Sequence, residues 1–94
     1  MLVLALLVFS RANELFRAAY EAGKFELRRG RCPARLRDEL ADIGQLEKLD
    51  RVVVSVRSEG GQPRVTAVGN INDGQLQQLR NVVARFNVSQ IRRG

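Results

Sequence analysis

The sequence predicts an α+β domain, an N-terminal helix followed by a ferredoxin-like βαββαβ sandwich with two helices on one face of an antiparallel sheet. Three observations point there. Apolar residues over the first twenty positions recur at helical spacing. From residue 23 onward, short alternating runs take turns with runs of 3.6-residue period. The segment EGGQP, residues 59–63, sits between two β-branched runs as hairpin turn material.

The first element opens with MLVLALLVF, nine apolar residues without a break. As a helix this run is about 14 Å long against ~30 Å of bilayer hydrocarbon, so by itself it does not span. It has no positive flank before it and no small-residue cleavage pattern after it, which argues against a removable signal peptide. Three readings are open: the end of a transmembrane helix that begins further upstream, a helix lying in the membrane surface, or an apolar arm that packs on the domain or on a second copy. Leu15, Phe16, Ala19 and Tyr20 continue the helical spacing, so one helix over about residues 2–21 is expected, stopped by Gly23. Residues 1–22 are thus read as a possible membrane anchor and residues 23–94 as a small basic domain. Arg11 and Arg17, just after the apolar run, favour the cytoplasmic side for the domain.

KFELRR, residues 24–29, alternates with Phe25 and Leu27 on one face and reads as a strand that Gly30 ends. Pro33 suits the first position of a helix, and Leu36, Leu40, Ile43, Leu46 and Leu49 form its core-facing stripe, with Gly44 a weak point inside it. RVVVSVRS and RVTAVGNI are predicted as an antiparallel strand pair around EGGQP. Asn72 with Gln75 three residues on is a capping-box variant that starts a helix with Leu76, Leu79, Val83 and Phe86 inward, and Asn87 ends it. VSQIRRG is read as a short final strand through Val88 and Ile91.

Charge narrows the function. The net charge of +6 is uneven: residues 28–37 hold five cations and no acid, residues 38–59 hold six acids and three cations, and residues 60–94 hold five cations and one acid. Fourteen of the sixteen cations are Arg, which suits forked contacts to phosphate or carboxylate, although a bias in genome composition produces the same count. The chain has no His and one Cys. It therefore lacks the usual general base, the commonest metal ligand and any internal disulfide, and it reads as a non-enzymatic protein without metal or cofactor. Cys32 near a helix start and several Arg is a conceivable thiolate, but with no partner for catalysis it reads as a small buried or capping residue.

Arg28, Arg29, Arg31, Arg35 and Arg37 are the candidate anion-binding residues. Arg35 and Arg37 oppose the dipole of the helix that begins near Pro33, at ~0.3 to 1 kcal/mol each. An i,i+4 pair between Arg35 and Glu39 offsets that only by a few tenths. An anion held by the guanidinium groups and the free N–H groups of the helix start accounts for them better. Arg92 and Arg93 join the patch if the last strand lies beside the first. A solvated strand edge is the bland alternative. Acidic lipid gains about 1 kcal/mol per nearby cation, and the apolar N-terminus makes that geometry available. Nucleic acid is the rival ligand, but RVVVSVR and RVTAVGN carry no aromatic for base stacking, which leaves backbone recognition only.

The order of an apolar N-terminus, RRGRCP, ARLRDELADI, a hairpin and GQLQQLRNVVARF resembles the small proteobacterial proteins of domain-of-unknown-function family 3634, over roughly residues 20–92. The resemblance implies a small membrane-tethered domain and gives no residue a chemical role. The expectation is therefore a module at the cytoplasmic face of the inner membrane that meets acidic lipid or an acidic protein through its Arg patch. The alternative is a soluble cytoplasmic domain that binds the phosphate backbone of nucleic acid.

Overall fold

A computed structural model of the chain describes residues 13–94. They form strands β1 (Glu14–Glu21) and β2 (Lys24–Gly30), helix α1 (Ala34–Leu46), strands β3 (Val52–Glu59) and β4 (Gln62–Gly69), and helices α2 (Asp73–Val83) and α3 (Val88–Arg93). All four strands join one antiparallel sheet in the order β2-β1-β3-β4. The α+β class and the antiparallel sheet hold. The described order is ββαββαα and not βαββαβ.

Two elements depart from expectation. Residues 14–21 are a central strand instead of the second half of a helix; the rest of that expected helix, with the apolar run, lies outside the described residues. ELFRAAYE satisfies both periods, because Phe16, Ala18 and Tyr20 also alternate. The strand wins through its neighbours: Tyr20 pairs with Phe25 on one side and Val52 on the other. The two-residue turn Ala22–Gly23, with φ of 52° and 80°, has the left-handed geometry that closes a tight hairpin. At the other end, VSQIRR is helix α3 and not a strand. Asn87 does not merely end α2. Its side chain accepts from the Gln90 N–H at 2.7 Å while Gln90 accepts from the Asn87 N–H at 2.8 Å, the same reciprocal cap that Asn72 and Gln75 make for α2.

The helices cover one face of the sheet. Phe16, Ala18, Tyr20, Val52, Val54, Val56 and Val65 meet Leu36, Leu40, Ile43, Leu79, Val83 and Ile91 there, with Phe25 and Leu27 at the margin. Leu46, expected in the α1 stripe, is 80% exposed. The helix stops at that residue in a Schellman turn, in which the Lys48 N–H bonds Gln45 O and the Leu49 N–H bonds Gly44 O at 2.9 Å. Leu49, beyond the turn, is buried in its place.

The sheet is two ββα units arranged alike. Gly30 ends β2 and Gly69 ends β4, both at positive φ. Arg31 N–H bonds Leu15 O, and Asn70 N–H bonds Arg51 O in the matching place. Each unit then begins its helix four residues after its glycine. Antiparallel pairing of β1 with β3 joins the halves.

Candidate anion-binding pole

Pairing of Phe16 with Gly30, Glu14 with Arg57 and Glu59 with Gln62 brings the start of β1, the end of β2 and the β3–β4 turn to one end of the sheet. α1 begins there, four residues after Gly30 ends β2. α3 ends there: a Cβ built on Gly94 lies 3.4 Å from Arg31 Cβ. Arg92 and Arg93 thus approach Arg31 through a helix, where the sequence suggested a strand. The seven predicted arginines are all exposed. Arg28 pairs with Glu26 at 3.2 Å, and Arg29 lies 3.7 Å from Glu14. Among the described residues Arg31, Arg35, Arg37, Arg92 and Arg93 have no ion pair. Arg92 and Arg93, with Asn87, Val88 and Ser89, line an open hollow of about 480 Å³ facing Gly61.

These arginines ring the pole and do not share one plane. Arg28 and Arg29 leave the uncovered side of the sheet; Arg35 and Arg37, two positions apart on α1, point about 200° from each other. The expected Arg35–Glu39 pair is replaced by an ion pair between Glu39 and Arg85 of the segment after α2. α1 also starts differently from α2 and α3. Pro33 at its N-cap makes no side-chain bond, whereas Asn72 and Asn87 cap theirs; the first turn of α1 holds no acid, as in α3 and unlike α2.

Sequence reading missed a second set of charges, on the uncovered sheet face. Arg17 pairs across strands with Arg29, and Arg57 with Arg64, like charges set directly opposite. Each pair shares one carboxylate. Glu14, whose side chain is 2% exposed, accepts from Arg17 Nε at 2.9 Å and Ser55 Oγ at 2.6 Å and faces Arg29; Glu59 meets Arg57 at 3.3 Å and Arg64 at 3.0 Å. Arg57, Glu59 and Arg64 lie on the hairpin the sequence predicts, so their pairing was legible; the grouping of Glu14, Arg17 and Arg29 was hidden by the helical reading of residues 14–21.

Catalytic chemistry finds no support at Cys32. The thiol is buried, and burial pushes it up to about 11, outweighing the nearby Arg37 guanidinium that pulls it down. It is a thiol and not a thiolate at neutral pH. Tyr20 is also raised by burial, with Cys32 adding to the effect, and its hydroxyl donates to Leu40 O at 2.7 Å. Among the described residues no cluster of Cys, Asp and Glu has the makings of a metal site, and no helix is long and apolar enough to cross a membrane.

No curated protein and no solved structure matches the chain. Residues 1–93 match the family described as Protein of unknown function (DUF3634), nearly the full length, and span both the apolar start and the arginine pole. The chain belongs to that family.

Proposed function

We propose that the protein is a non-enzymatic module held at the cytoplasmic face of a membrane by its apolar N-terminal segment, with the arginine pole against acidic headgroups. One observation carries the reading. The chain passes from its nine-residue apolar run into β1 at the same end of the sheet where Arg31, Arg35, Arg37, Arg92 and Arg93 stand without ion pairs among the described residues. A segment drawn to lipid would thereby set those guanidinium groups within a Debye length of the headgroup charge. The α1 start, with no acid and no side-chain cap, adds N–H groups free to face an anion.

The test is co-sedimentation of the full chain with vesicles of phosphatidylcholine alone or mixed with phosphatidylglycerol. Binding should favour the acidic vesicles and weaken with salt. Replacing Arg31, Arg92 and Arg93 by Gln should lower acidic-vesicle partitioning about a hundredfold, at about 1 kcal/mol per cation. No uptake by acidic vesicles, together with salt-sensitive retention on duplex DNA or RNA, would replace this reading by phosphate-backbone recognition.

A further inference from the structure

The helices leave the other face of the sheet uncovered, and its side chains are sorted into rows. Ala19, Val53 and Val68 are consecutive cross-strand partners and form an apolar row over three strands. Val53 is 41% and Val68 55% exposed. The next row toward the pole is Arg29, Arg17, Ser55 and Thr66, and beyond it come Arg57 and Arg64. Arg17 and Arg29 thus border the valines, with Arg57 and Arg64 a row further on; Glu14 and Glu59 balance these four, and Glu26, opposite Ala19, pairs with Arg28.

Like-charge cross-strand pairs weaken a sheet, and half-exposed valines gain nothing from water. The hollow between Arg17, Val53 and Val68 measures about 70 Å³. That is far below the several hundred Å³ of a small-molecule pocket, so a flat partner is indicated. No aromatic stands in these rows to stack a base. Cations beside an apolar strip match the interface of an acidic bilayer, where guanidinium groups take headgroup phosphates and small apolar side chains reach the acyl boundary.

We infer that the domain lies sheet-down on the acidic bilayer, with Val53 and Val68 at the acyl boundary and Arg17, Arg29, Arg57 and Arg64 on the phosphates. This rests on the membrane reading above and specifies which surface makes the contact. Arg28 and Arg29 then touch lipid directly, and Arg31, Arg92 and Arg93 at the end of the sheet act on the headgroup charge over a Debye length.

The chain has no Trp, so single tryptophans report the orientation. In the full chain, Val68→Trp should shift to the blue and lose most of its emission on vesicles carrying a nitroxide just below the headgroup. Leu46→Trp, on an 80% exposed position at the far end of α1, should keep its emission. Val53→Glu or Val68→Glu should each cut partitioning into acidic vesicles about tenfold, both sites being exposed enough to tolerate the change. Acidic-vesicle binding with the tryptophan at 68 unquenched would overturn the orientation alone. Failure to bind acidic vesicles at all would overturn both readings. A blue shift at 68 without lipid, accompanied by sedimentation as a dimer, would assign the face to a second copy of the chain and likewise overturn the inference.

Discussion

Gly44 looks like a defect in α1, since Gly in a helix interior is worth about 1 kcal/mol less than Ala. Its surroundings reverse that judgement. A Cβ there would lie 2.5 Å from Tyr20 Cε1 and 2.6 Å from Cδ1, and Tyr20 is fully buried, tied to Leu40 O and packed edge-on to Phe25. Gly44→Ala should therefore destabilise by about 1 to 3 kcal/mol in denaturant unfolding instead of adding stability, because the ring has nowhere to move. A gain would show that helix propensity governs the site. The arginines illustrate what single residues reveal. Their number and clustering are plain in the sequence, and so was the doubt over Cys32. Their carboxylate partners were not, because Glu14 becomes a partner of Arg17, Arg29 and Ser55 only once residues 14–21 are extended.

Among the elements, β2, α1, the β3–β4 hairpin and α2 were legible, each from a period together with a turn or cap. β1 was not, because alternation and helical spacing coexist in ELFRAAYE and only two-sided pairing decides between them. α3 was readable in principle from Asn87 and Gln90, whose spacing repeats that of Asn72 and Gln75. Its six residues were too few for a periodic signal. The end of α1 offers a direct test. Lys48 occupies the left-handed position of the Schellman turn at φ 54°, where Gly avoids the steric cost of a Cβ. Lys48→Gly should raise stability by about 1 kcal/mol, read as a higher urea midpoint at unchanged slope.

For the whole molecule, the core sets an alkaline limit. The Cys32 thiol is held near 11 against an ordinary 9.0, so folding favours its protonated form. That contribution is complete below pH 9 and lost as pH rises toward 11; Tyr20, raised in the same sense, extends the loss further. Two units correspond to about 3 kcal/mol. Stability followed by circular dichroism should be flat near neutrality and fall above pH 9, and Cys32→Ala should make the fall between pH 9 and 11 shallower. An unchanged slope would mean that the thiol titrates as it does in the unfolded chain. The α+β class was legible at this scale because it needs only the alternation of periods. The doubled ββα plan was not, since the halves share few residues beyond Gly30 and Gly69, and their likeness lies in backbone bonds.

Because β1 is an inner strand, the chain ahead of Asn13 is joined to the middle of the sheet and not to its rim. A pull applied through that leader is taken up by two ladders at once, one to β2 and one to β3, both running along the direction of load. The attachment must shear many bonds together before it yields, whereas a leader feeding an edge strand could peel them away singly.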